Sequence, residues 1–355
     1  MSRSRLLAVS VSLKFLLLAL AAAVAVSLAP SGGKRVLVLG ATGRVGRLVV
    51  ADLTQRNIAV RCIVRDKRKG EQVLPTSALV EVVEGNLGNP KEFRAWCEGA
   101  DAAIWCATGF SDATSNFNKV LGLFRLSFKG GETAIDKKAL SELGAILDAN
   151  AAGLVPDGPS IVVCSSAGVT RPTWDEDKKR ILLGAADIPI VRLNPLNILD
   201  IKRTGEEALR KACKKGKYAI VRPCGLNDKT ALGRPLLSQG DVAVGRISRQ
   251  DTAKLLIDTL YEPQSCGKTF EALALPTFPY SKSLSDQLSR LKKDFEPPQS
   301  LDTLFAVYSV LQQIVPGEQL RPNELAMGQT YEQLDNGVTG RLGVRGTEQA
   351  PITRS

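Results

Sequence analysis

The sequence contains no histidine. That absence excludes Ser-His-Asp and Cys-His nucleophilic catalysis and every metal site that requires imidazole, and no metal site is expected. Aromatic residues are scarce, at 5%, and no basic stretch carries aromatics between its charges. The pattern of a nucleic-acid-binding surface is therefore missing, and no nucleic acid is expected as a partner. None of the seven cysteines (Cys62, Cys97, Cys106, Cys164, Cys213, Cys224 and Cys266) stands in a Cys-x-x-Cys pair, so a zinc or redox motif of that kind is excluded. Cys62, Cys106 and Cys164 lie in apolar, strand-like runs and read as buried free thiols. An odd, unpatterned cysteine set points to a reducing compartment. No acidic residue precedes Asp52.

What is present is a chain of 355 residues, 44% apolar and 23% charged, with a net charge of +11. That is long enough to bury a large core and close to the globular norm. Residues 1–33 read as a segment outside the fold. Arg3 and Arg5 precede an apolar stretch, Lys14 interrupts it, and small residues follow at Ala23-Val24-Ala25 and Ser27. This is the chemistry of a targeting leader. The uninterrupted apolar run is shorter than the roughly 20 residues of a spanning helix. A cleaved leader and a retained membrane anchor both remain open. An organelle address, a plastid foremost, fits the unpatterned cysteines better than secretion. The localisation expected is stromal or membrane-associated, with another organelle or the endomembrane system as the alternative.

From Lys34 onward, apolar runs alternate with helical patterns. Strands are expected at Val36–Leu39, Ala59–Val64, Leu79–Glu84, Ala102–Cys106, Ser160–Cys164, Tyr218–Arg222 and Lys268–Leu275. Helices are expected after the first strand through Arg56, over 90–98 and 132–152, and at Arg249–Tyr261. This alternation predicts an α/β fold, a doubly wound parallel sheet over 34–276. Long irregular stretches over 110–131 and 170–195 follow the carboxyl ends of strands, where such sheets bind ligands. Asp175–Arg180 reads as a solvated charged loop. Glu296-Pro297-Pro298-Gln299 reads as a linker, and Leu301–Val315 as an amphipathic helix. Residues 277–355 thus form a small helical, partly disordered extension.

Gly40-Ala41-Thr42-Gly43-Arg44-Val45-Gly46 lies between the first strand and the first helix. Gly40 permits a tight turn, Gly43 lets the backbone approach a pyrophosphate, and Gly46 lets helix and strand pack closely. The phosphates would rest on the helix N-terminus, where free N–H groups and the dipole favour anions. The strand, the helix and the βαβ unit supply the context this motif needs for nucleotide binding. At the end of the second strand an acidic residue would hold the ribose 2′-hydroxyl of NAD. Here Arg65 comes first, with Asp66 after it and Lys67 and Arg68 close behind. A guanidinium forks onto a 2′-phosphate, so NADP(H) is expected in preference to NAD(H).

The order of motifs resembles the atypical short-chain dehydrogenase/reductases, and most closely their NmrA-like plant and algal plastid branch. The motifs are the glycine loop, Arg65, Gly85-Asn86-Leu87, Ser165-Ser166-Ala167-Gly168, Asn197–Glu206, Arg222-Pro223-Cys224-Gly225-Leu226 and Ile247-Ser248-Arg249-x-Asp251-x-Ala253. The resemblance implies a Rossmann fold with Thr42, Gly43, Arg44 and Val45 on the pyrophosphate. Asn86 and Leu87 would flank the adenine, with Asn86 where many members carry Asp. Ala107 and Thr108 would lie along the adenosine ribose, and Pro223 would sit near the nicotinamide. Cys224 reads there as an inert buried thiol. Residues 303–335 are similar to the tail of some plastid members.

One departure matters. Ordinary members use Tyr-x-x-x-Lys as proton donor and cation. Lys202 matches the lysine, but Ile198 stands four residues before it, and no tyrosine has a lysine four residues on. Lys202 is then expected on the nicotinamide ribose, and Ser166 at a strand end on the cofactor. The two are the candidate catalytic residues. Two functions follow. One is an NADP(H)-dependent oxidoreductase on a small substrate, with its proton supplied by Ser166 or water. The other is a non-catalytic dinucleotide-binding scaffold or assembly factor at an organelle membrane, meeting a protein partner or a membrane surface.

Overall fold

The structure, a computed structural model, describes residues 33–108, 135–194, 197–232, 235–275 and 283–314. The leader, the stretch 110–131 and the chain beyond Ile314 lie outside the described residues. The first strand, β1 (Arg35–Leu39), has four consecutive residues with no exposure. Strands covered on both faces carry such continuous apolar runs. It is followed by α1 (Gly46–Gln55), β2 (Ala59–Val64), α2 (Lys67–Val73), β3 (Val80–Glu84), α3 (Phe93–Cys97) and β4 (Ala102–Trp105). Next come α4 (Leu140–Asn150), β5 (Ile161–Cys164), α5 (Ile198–Ala212), β6 (Tyr218–Pro223), β7 (Gly225–Asn227), β8 (Leu236–Ser238) and β9 (Arg246–Ser248). The last elements are α6 (Arg249–Thr259), β10 (Lys268–Leu273), α7 (Leu284–Ser289) and α8 (Leu301–Ile314).

The main sheet has eight strands in the order β3-β2-β1-β4-β5-β6-β10-β8. All its pairs are parallel except β10 with β8. The order reverses between β1 and β4, the switch point at which doubly wound sheets bind ligands. Alternate side chains feed two core layers. Val36, Val38, Val60 and Ile104 face a layer shared with α1 and α6. Leu37, Leu39, Ile63 and Trp105 face a layer shared with α3, α4 and α5. The doubly wound α/β architecture expected from the sequence is the one observed.

Several elements differ in detail. The helical pattern over 90–98 begins as a 3₁₀ turn, Pro90–Glu92, and only then becomes α3. A π-helical turn, Ile135–Ala139, precedes α4. The charged stretch at 175–180 is a short helix, Glu176–Ile181, rather than a loop. The Asp175 side chain caps it by accepting from the Lys178 N–H. Strands β7, β8 and β9 have three residues each, too short to leave a periodic signal.

The C-terminal region packs against the same body. Leu304, Tyr308 and Leu311 of α8 are buried in a cluster with Trp174, Leu182, Val242 and Leu273. The Tyr308 hydroxyl accepts from the Gly184 N–H at 2.9 Å. Asp294 accepts from the backbone N–H of Thr269 at 2.9 Å and from Arg210 Nε at 2.9 Å. Among the described residues, no helix is long and apolar enough to cross a membrane.

Candidate functional site

The carboxyl ends of β1, β2, β4 and β5 open into a cleft of about 450 Å³. The turn after β1 builds its first wall. Gly40 has φ +77°, in the left-handed region that favours glycine, and a Cβ there would stand 2.5 Å from the Ala107 nitrogen. A Cβ on Gly46 would stand 2.1 Å from the Gly40 oxygen. These two glycines let the turn, α1 and the end of β4 come together. The Gly43 N–H donates to the Gly40 carbonyl at 3.0 Å and closes the turn. No side chain caps α1, and no acidic residue stands in its first turn, so this helix N-terminus suits an anion.

The cleft brings together Gly40, Thr42, Gly43, Arg44, Val45, Arg65, Asn86, Leu87, Ala107, Thr108, Ser166 and Lys202. Of the residues expected from the sequence, two lie outside the lining. Gly46 stands behind the turn as a packing position. Pro223 ends β6 and is buried within the sheet. Among the described residues the lining contains no carboxylate, while Arg44, Arg65, Arg249 and Lys202 all contribute to it. Asp66 points its charge elsewhere. Its side chain caps α2, accepting from the Lys69 N–H at 3.0 Å. Asp228 bridges Arg44 and Arg249, the latter at 2.9 Å. Arg65 and Lys202 have no ion-pair partner among the described residues. Asn86 turns its carbonyl oxygen to the Gly88 N–H at 2.9 Å, which fixes the loop after β3.

Sequence reasoning did not single out the groups beneath the cleft. Ser165 lines it beside Ser166 and donates to Glu206 at 2.5 Å. Glu206, 1% exposed, also accepts from Arg222 at 2.6 and 3.0 Å and from Arg210 at 2.9 Å. Burial opposes its ionisation, but Arg222 and then Arg210, with these hydrogen bonds, outweigh it and hold the carboxyl down at about 2. The anionic glutamate therefore locks β5, α5 and β6 together under the site. Arg222 and Glu206 lie within the motifs quoted above, but nothing in their order shows that they pair. Cys106 and Cys164 also line the cleft.

A cation-lined cleft at the switch point, fronted by a glycine turn, defines a dinucleotide-binding domain of the Rossmann class with an oxidoreductase-like fold. Residues 40–263 match the family model described as NAD(P)H-binding, and the chain belongs to that family. An uncharacterised chloroplastic protein of Arabidopsis thaliana is 25% identical over 267 residues, 73% of this chain and 83% of that protein. Protein High Chlorophyll Fluorescence Phenotype 173, chloroplastic, of the same plant is 38% identical over 97 residues, or 26% of this chain. The match spans only 16% of that protein's length. Among solved structures, a Bacillus halodurans protein assigned as an NAD-dependent epimerase/dehydratase superposes with a TM-score of 0.52 at 21% identity. The match covers 73% of this chain and all of that one. It establishes the fold, in accord with the resemblance to atypical short-chain dehydrogenase/reductases.

Proposed function

We propose that the chain binds NADP(H) in this cleft and acts as a dinucleotide-binding regulatory or assembly component of the plastid, without tyrosine-dependent hydride transfer. The observation that carries the cofactor reading is the charge of the site. Arg65 stands at the end of β2 with no acidic rival in the lining, because Asp66 is engaged as the cap of α2. A 2′-phosphate would meet a guanidinium there, whereas a bare ribose would find no carboxylate. Thr42–Val45 would carry the pyrophosphate, and Lys202 the nicotinamide ribose.

The same lining speaks against turnover. Position 198 is isoleucine, and among the described residues no tyrosine lines the cleft. Ser165 already gives its proton to Glu206, and Ser166 donates to the Ala167 carbonyl at 3.0 Å. A hydroxyl whose proton is already engaged by a carboxylate or a carbonyl is a weak proton donor for carbonyl reduction. The plastid reading rests on the two chloroplastic relatives and on the apolar, acid-free N-terminus.

The Arg65→Asp variant tests the cofactor reading. The ratio of NADPH to NADH affinity should fall about tenfold or more, a change of about 1.4 kcal/mol. An unchanged ratio would remove Arg65 from recognition. Incubation with NADPH and a panel of small aldehydes, ketones and enones, followed at the nicotinamide absorbance, tests the rest. The expected result is no oxidation above the blank. Stoichiometric, Lys202-dependent oxidation would make the chain an oxidoreductase.

A further inference from the structure

We propose that Cys106 and Cys164 form a thiol–disulfide exchange site on the floor of the cleft; only its shielding by an occupant rests on the dinucleotide reading above. Strands β4 and β5 run parallel, with Ala103 opposite Ile161, Ile104 opposite Val162 and Trp105 opposite Val163. One step further, the same register sets Cys106 opposite Cys164. Ile104, Val162 and both cysteines face one core layer, while Trp105 and Val163 face the other. The two thiols therefore point the same way. Both are half-buried and line the cleft.

Neighbouring strands lie about 4.7–4.9 Å apart. That falls within the Cα window of a disulfide, roughly 4.4–6.8 Å, so the bridge can form. Its place in the lining of the cleft leaves it accessible to exchange. Side by side on neighbouring strands the two thiols interact, and an S–H···S bond from Cys106 favours the Cys164 thiolate. The Lys202 ammonium adds to it, so Cys164 lies below the ordinary thiol range despite its burial. Cys106 is raised, by the same bond and by burial, and holds its proton. Elsewhere burial pushes Cys62, Cys97 and Cys213 up to about 12 and Cys266 to about 11. The pair is set apart from these four by both geometry and charge.

The co-reactant is a small disulfide, RSSR. The Cys164 thiolate attacks one of its sulfurs, forms a Cys164–SR mixed disulfide and expels RS⁻. Cys106 then loses its proton to solvent and attacks the Cys164 sulfur. The Cys106–Cys164 bond forms and the second RS⁻ leaves. Two protein thiols are oxidised, one disulfide is reduced to two thiols, and the reverse sequence restores the dithiol.

The experiment treats the full chain with glutathione disulfide, quenches with an alkylating agent and maps the peptides by mass spectrometry. The expected product is a Cys106–Cys164 cross-linked peptide, with Cys62, Cys97, Cys213 and Cys266 still alkylated. Cys106→Ser should trap glutathione on Cys164, and Cys164→Ser should leave Cys106 unmodified. Two cysteines that stay fully alkylatable in the parent chain, or glutathione trapped on Cys106 instead, would overturn the proposal. NADPH at 100 times its dissociation constant should slow cross-linking by about 100-fold, because the occupied cleft excludes the disulfide. Cross-linking at an unchanged rate on a chain with bound NADPH would leave the exchange site standing and refute only the cleft as the nucleotide's place.

Discussion

At the residue scale, the site is a set of close approaches that few side chains permit. A Cβ on Gly43 would already stand 3.2 Å from the Gly40 oxygen. Gly43→Glu adds bulk and negative charge where a pyrophosphate would lie. Nucleotide binding should be lost while the circular dichroism spectrum stays native; retained NADPH affinity would dissociate the turn from the cofactor. Glu271 is the opposite case, a cost rather than a contribution. It is fully buried on β10, and among the described residues neither carboxyl oxygen has a well-formed hydrogen-bond partner. Burial, and then the Asp241 charge, push its carboxyl up to about 7. The folded value exceeds the unfolded one. Glu271 therefore destabilises the fold above pH 7 and ceases to do so below the ordinary glutamate range. Glu271→Gln should raise the melting temperature at pH 8 and bring little or no gain at pH 4. Equal gains at both pH values would show that Glu271 is not protonated on acidification in the folded state.

At the element scale, the strands and the glycine turn are legible because their rules are local. Four apolar residues in a row mark a buried parallel strand, and the spacing of Gly40, Gly43 and Gly46 marks the turn. Pairing across the sheet is not local. The register that brings Cys106 to Cys164 cannot be read from either strand alone. Buried charge is equally hidden, since a charged residue reads as surface. Arg171 is fully buried, yet it donates to the carbonyls of Asp241, Ala185 and Ala243 at 2.6, 3.0 and 2.6 Å. These bonds tie the segment after β5 to the loop after β8, onto which α8 docks. Leu304 of α8 sits against Gly240, which has φ +98°. Leu304→Ala should destabilise the fold by about 2–5 kcal/mol in urea unfolding. Tyr308→Phe should cost about 1 kcal/mol through the lost bond to Gly184. No change in either variant would mean that α8 does not contribute to the fold in solution.

The Glu206 cluster works on the same scale and titrates. Its folded value, about 2, lies below the ordinary glutamate value of 4.5. Above pH 4.5 both folded and unfolded chains carry the anion, and its stabilisation is complete. As pH falls from there toward 2, the unfolded chain takes up the proton first and the contribution is lost. Glu206→Gln leaves Arg222 buried without its charge partner and should destabilise by about 3–5 kcal/mol at pH 7. That deficit should shrink toward pH 2. A deficit independent of pH would show that the carboxylate is not the anchor.

At the scale of the whole molecule, the net charge of +11 takes on meaning where it meets the fold. Part of it lines one cleft, where Arg65 and Lys202 have no ion-pair partner among the described residues, and the recognition device proposed there is Arg65. The NAD(P)H-binding family and the fold agree with a bound nicotinamide dinucleotide. Equilibrium titration of the full chain with NADPH and with NADH, followed by nicotinamide fluorescence at fixed ionic strength, tests this most directly. The account predicts saturable binding of both, with NADPH tighter by about tenfold or more, the worth of one guanidinium–phosphate contact. Failure of either nucleotide to bind, or a preference for NADH, would contradict it.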